Sequence, residues 1–190
     1  MLKTGALDQL HQVHELNRAF LGLLQSRLLD RRSCLGLPAL AQATVAAATG
    51  PLLDGVAAFP HALFRLNIGA RPWPACADDV ADFDEAEQQL CWSILFAVRH
   101  TSRHSAYQAR LLFGLEADDV ERLGGSRLAE LQQHACAPGV LKCAFAEHRS
   151  FWQQLFTTTR PELRRQLTLM ALQPGLAIAW PQRRPPHATL

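Results

Sequence analysis

No apolar run in the sequence approaches the roughly 20 residues that a membrane-spanning helix needs. Charge of one sign is also lacking: 19 basic against 17 acidic side chains leave +2, which by itself selects no polyanionic partner. There is no phosphate-cradling glycine loop, no nucleophile elbow and no pair of carboxylates in an apolar setting, so no enzyme is expected. Cysteine is scarce: the five, at 34, 76, 91, 136 and 143, are odd in number and lack metal-ligand spacing. With no secretory signal at the start, they are expected as free thiols in a reducing cytoplasm, with no disulfide. His100 and His104 stand four apart and could share zinc, but Arg99 and Arg103 beside them oppose a cation. No metal or cofactor is expected.

What the sequence does contain is a segment written twice. Residues 34–63 and 112–141 align without a gap at an offset of 78. Gly36-Leu37 falls on Gly114-Leu115, Val45 on Leu123, Leu53 on Leu131, Ala57 on Ala135, Pro60 on Pro138 and Leu63 on Leu141. These apolar matches recur at helical spacing. A helical stretch precedes each copy, at Leu16–Leu21 and Leu90–Leu95, but the two align only after a four-residue gap.

Periodicity and breakers place the elements. An apolar stripe from Leu10 to Leu28 predicts a helix over 7–32, with Arg27, Arg31 and Arg32 near its C-terminal end. Pro38 opens a second helix to Thr49, and Gly50-Pro51 a third over 51–59. Alternation predicts a strand over 62–68. The second copy is expected as one long helix from Glu85 to Phe113, a short helix over 116–123, a Gly124-Gly125 turn, a helix over 127–136 capped by Ser126, and a strand over 140–145. Two more helices are expected over 150–156 and 161–172, followed by a disordered end. The division is 7–68, a linker over 69–84, 85–158, and a basic C-terminal helix and tail over 159–190. The fold class is mainly α.

Candidate binding residues lie late in the chain. The helix after Gly124-Gly125 offers Arg127, Gln132 and Gln133 on its polar face, with Glu130 opposing the one fixed cation. A groove-reading helix usually gathers more bases than that, so packing within a bundle is the stronger expectation. From Arg160 onward the chain has five arginines and one acid, and Arg160, Arg164 and Arg165 form a ridge suited to phosphates or an acidic protein surface. The helix over 161–172 should bury Leu163, Leu167, Met170 and Ala171 and turn those arginines outward.

The residues Leu16-Asn17-Arg18-Ala19-Phe20-Leu21-Gly22-Leu23-Leu24-Gln25 resemble the opening helix of the flagellar transcriptional activator FlhD family. In the second copy, Cys91 stands at the family's Asn position, Leu112-Phe113-Gly114-Leu115 at its R-L-G-I turn, Leu128-Ala129-Glu130-Leu131 in its leucine-containing helix, and Leu141-Lys142-Cys143-Ala144-Phe145 near its L-V-C-H-F strand. The resemblance spans about residues 15–68 and 88–156. It implies two FlhD-like helical units, each ending in a short strand, packed as a pseudo-dimer within one chain, plus a C-terminal helix. It further implies a non-enzymatic regulator acting with an FlhC-like protein subunit in a DNA-bound activator complex, for flagellar or motility genes. Arg65 falls opposite Cys143, so the symmetric inter-subunit disulfide that the family can make is excluded here. The family's turn arginine is Leu112 in one copy and Cys34 in the other, which puts contacts made through it in doubt. The competing readings are a stand-alone helix-turn-helix DNA binder, using Arg127 and the arginine ridge, and an adaptor without a transcriptional role.

Overall fold

The computed structural model describes residues 3–68, 84–148, 150–158 and 161–171. The linker up to residue 83, Cys76, Arg160 and the tail beyond 171 lie outside the described residues. Within them the chain is mainly helical: α1 Lys3–Leu29, α2 Ala39–Ala46, α3 Gly50–Ala57, β1 Phe64–Leu66, α4 Glu85–His104, α5 Ala106–Phe113, α6 Ala117–Gly125, α7 Leu128–Ala135, β2 Leu141–Cys143, α8 Phe151–Thr157 and α9 Pro161–Ala171.

The long helices α1 and α4 pack on each other and carry the shorter ones: α2 and α3 on α1, and α5, α6 and α7 on α4. Their inward stripes supply the core, with Val13, Phe20, Leu21 and Leu24 from α1 and Cys91, Ile94, Leu95 and Val98 from α4. α8 closes the other side of α2, where Trp152 is fully buried and donates its indole N–H to Ala144 O at 2.8 Å. Phe151 beside it meets Phe59 edge-on at 5.7 Å and Phe145 at 4.3 Å.

The bounds of α6 and α7 are those of α2 and α3 moved by 78 residues, with α6 one residue longer. Gly36 and Gly114, equivalent at that offset, both have positive φ (82° and 63°), where a side chain would be strained. Burial follows the same offset: Val45 and Leu123, Leu53 and Leu131, Ala57 and Ala135, and Leu63 and Leu141 are all buried. The strands then pair with each other, antiparallel, Phe64 with Cys143, Arg65 with Lys142 and Leu66 with Leu141. The ladder continues with Ala144 N–H to Leu63 O at 2.9 Å and Asn67 N–H to Val140 O at 2.7 Å. Positions 64 and 142, and 65 and 143, are equivalent at 78, so exchanging the two segments maps the register onto itself.

Buried polar side chains fasten the loops to the long helices. Asn17 of α1 is fully buried, donates its amide to Ala57 O, Phe59 O and His61 O at 2.9–3.3 Å, and accepts Leu63 N–H at 2.8 Å. Gln25 donates to Val45 O, Ala46 O and Ala48 O, carbonyls at and just past the end of α2. Arg99, at the matching place on α4, donates to Ser126 O at 2.8 Å after α6. An amide and a guanidinium thus do one job. Between α1 and α4, Arg27 and Glu87 form a buried ion pair, and Arg27 Nε also donates to Ser33 O at 2.6 Å.

Several expectations are corrected. The helix foreseen over 85–113 is broken at Ser105, whose backbone is extended and whose hydroxyl accepts Gln108 N–H to start α5. Gly124 and Gly125 form the last turn of α6 rather than a loop. Ser126 does not cap α7: its hydroxyl donates back to Arg122 O at 2.7 Å, and Arg127 takes the N-cap position. The strands shorten to three residues each. α1 ends at Leu29, so Arg31 and Arg32 lie past it, and Arg27 in its last turn is buried.

Candidate functional site

Arg127, Gln132 and Gln133 stand on α7, all exposed. Periodicity decides this face, since Leu131, His134 and Ala135 turn inward. Arg127 N–H donates to Glu130 Oε2 at 2.8 Å, so Glu130 completes the helix start and offsets the one cation. Arg164 and Arg165 stand elsewhere, on α9, which packs on α8. Leu167 is buried and both arginines are exposed, as the stripe predicts; the side chains of Leu163, Met170 and Ala171 lie outside the described residues. Arg164 is not wholly free: its Nη2 donates to Gly55 O in α3 at 3.0 Å. Gly55 is the 78-residue equivalent of Gln133, so the ridge leans on the first half at the place that stays open in the second. The structure therefore divides the expected site between two elements.

The thiols of Cys34, Cys91, Cys136 and Cys143 are free. Burial, reinforced by Glu87 and Cys136, pushes the Cys91 thiol up to about 12, and burial with Cys34 nearby also raises that of Cys143, so neither is a nucleophile at neutral pH. No group of three or more metal-competent side chains occurs among the described residues. His100 and His104 stack at 4.3 Å, and His104 Nδ1 bonds to His100 O at 2.9 Å.

His134 occupies the place of Val56 in the first half, and burial with Arg122 nearby lowers its pKa to about 4. Its folded value lies below its ordinary 6.5, so between those limits the unfolded chain takes up the proton and the folded one does not. Stability should fall on acidification from pH 6.5 toward 4, with a slope of up to about 1.4 kcal/mol per pH unit from this group. Burial lowers His14 and His61 as well, in the same sense. Urea denaturation at pH 7.5 and 5 should show His134→Val less acid-sensitive than the parent; equal sensitivity would remove His134 from the account.

One surface was not foreseen. The end of α4, α5 and one face of α6 line an open groove of about 530 Å³, with Ser102, Arg103, Ala106, Tyr107, Arg110, Ala117, Val120, Glu121 and Gly124 on its walls. Tyr107 is 73% exposed on its rim. α4 and α6 approach closely there: a Cβ on Gly124 would stand 3.4 Å from the Cβ of Ser102. The signal in the sequence is the four-residue gap. In the first half the matching stretch forms a tight turn with positive φ at Arg31, Leu35 and Gly36; the longer second copy has room for α5.

Among the described residues no helix is long and apolar enough to cross a membrane. No protein-family profile, curated protein or solved structure matches the chain.

Proposed function

We propose that the chain is a non-enzymatic transcription regulator of FlhD-like type, in which two units of one design pack as an intrachain pseudo-dimer. It works by contact with a protein subunit of FlhC-like role, and the complex, rather than this chain alone, holds DNA. The observation that carries the architecture is the strand pairing: equivalent segments meet antiparallel in a register that is unchanged by their exchange, as the isologous contact of a two-fold dimer would be. The α1 residues that resemble the family supply the functional part of the reading. They include Asn17, which is committed to a loop of its own half. The stand-alone DNA reading is weaker, because the α7 face exposes one arginine, Arg127, and carries the acid Glu130 at the same helix start.

On this reading Arg164 and Arg165 on α9, with Arg127, Gln132 and Gln133 on α7, are the surfaces that meet the partner complex. The test is affinity purification of the tagged full chain from its own cells, followed by duplex-binding and reporter assays. The expected result is a co-purifying transcription-factor subunit and duplex retention only in its presence. Salt-dependent retention by the chain alone would overturn the reading in favour of a direct binder, and neither partner nor DNA would leave an adaptor. Arg164→Glu/Arg165→Glu is expected to weaken association at least about tenfold by placing like charges together. Losing the bond to Gly55 should cost about 1 kcal/mol or less, because both side chains are exposed. Unchanged association at unchanged melting temperature would reduce the ridge to solvated surface.

A further inference from the structure

The groove between α4, α5 and α6 has no counterpart in the first half, and its composition states what it suits. Its floor is apolar and shallow: Ala106, Ala117, Val120 and the bare backbone of Gly124. Tyr107 forms one wall, largely exposed, and Leu111 is also exposed farther along α5. Arg103 and Arg110 flank the tyrosine, both exposed. Neither makes an ion pair among the described residues, and the one acid in the lining, Glu121, is unpaired there too. Other arginines do meet carboxylates, Arg18 with Asp54, Arg32 with Asp84 and Arg122 with Asp119. What distinguishes Arg103 and Arg110 is that they stand on either side of an apolar trough.

We propose that this groove is a docking site for an acidic amphipathic segment of a partner protein, with an apolar side chain on the Ala106–Val120 floor and carboxylates on Arg103 and Arg110. Charge complementarity selects this occupant. Duplex DNA presents a rail of phosphates and nothing to fill an apolar floor. An acidic helix fits both parts: its apolar stripe lies against the floor and Tyr107, and its carboxylates form planar, two-point bonds with guanidinium groups. The proposal is independent of the α7 and α9 surfaces assigned above.

The test uses the full chain and three fluorescein-labelled probes: an amphipathic peptide with a leucine and phenylalanine stripe flanked by glutamates, the same peptide with lysines for the glutamates, and a random-sequence DNA duplex. Fluorescence anisotropy at physiological salt should show the glutamate peptide binding at least about tenfold tighter than the lysine peptide. Arg103→Glu/Arg110→Glu should remove that preference, and Ala117→Trp, which fills the floor, should weaken the glutamate peptide without reversing the preference. Thermal melts check the fold; should the double reversal fail to fold, Tyr107→Ala at its exposed position serves instead and is expected to weaken the glutamate peptide about fivefold or more. Equal affinity for the two peptides, or no binding of the glutamate peptide, would overturn the proposal. So would duplex binding that disappears with Arg103 and Arg110, which would make the groove a nucleic-acid site. A change of mass in sedimentation on blocking the groove would identify a second copy as its occupant and overturn it equally.

Discussion

Glu87→Ala is expected to destabilise the protein by about 3–5 kcal/mol, because it strands the buried Arg27 guanidinium without its counter-ion. In a chain of this size that corresponds to a fall in Tm of roughly 10 °C. The pair itself is a different matter. Burial raises the Glu87 pKa and outweighs the opposing pull of Arg27, so removing these two charges from water takes back what their attraction gives. Arg27→Met/Glu87→Leu should therefore recover to within about 1 kcal/mol of the parent or exceed it. The sign of the pH dependence follows. A carboxyl raised in the folded state favours folding most below its ordinary pKa of 4.5 and loses that contribution as pH rises through the folded value, opposite to His134. A loss well under 1 kcal/mol for Glu87→Ala, by urea denaturation at pH 7, would show that the α1–α4 contact does not depend on this charge.

Asn17→Ala should cost a comparable amount, about 3–5 kcal/mol. One side chain satisfies three carbonyls and one amide of the loop that runs from the end of α3 into β1. Each group left dry costs about 1–3 kcal/mol, and water reaches only some of them. Asn17→Asp separates the donors from the acceptor. It keeps an oxygen for Leu63 N–H but points a carboxylate at three carbonyl oxygens, so at neutral pH it should be no better than alanine, and it should improve as the acid protonates. Asn17→Cys carries the thiol found at the matching place in α4, Cys91, and is expected to lose as much as alanine. Hydrogen exchange of the Leu63 amide reports directly: protection retained in Asn17→Ala would refute the bond's role.

Matching apolar positions made α2, α3, α6 and α7 legible as helices, but breakers give their ends only to within a few residues: α2 stops at Ala46 rather than Thr49, and α6 takes in Gly124 and Gly125. The break at Ser105 was not legible. Thr101, Ala109 and Phe113 stand at multiples of four and are all buried, so the apolar phase runs straight through the kink, and no proline or glycine marks it. That kink creates α5, and with α5 the groove, so the groove leaves no trace in the apolar pattern. Ser126 was misassigned for a related reason: a hydroxyl at a helix junction can bond forward as an N-cap or back to the preceding turn, and only the chain's path decides. The bond from Arg164 to Gly55 joins residues 109 apart and has no local trace. Exposure of Arg127, Gln132, Gln133 and Arg165 was readable from helical phase alone.

The exposed positions at the centre of the two strands are Arg65 and Lys142, directly opposite each other. Like charges in such a pair oppose the ribbon they decorate. Their position on a sheet of only two strands gives them a use as an electrostatic fence. A third strand of the same sequence, arriving from another molecule, would bring more positive charge to a rung that already holds two, so the sheet resists growth at its edges and closes on itself. Replacing both by threonine would make the ribbon itself more comfortable and the protein more prone to stick to its own kind.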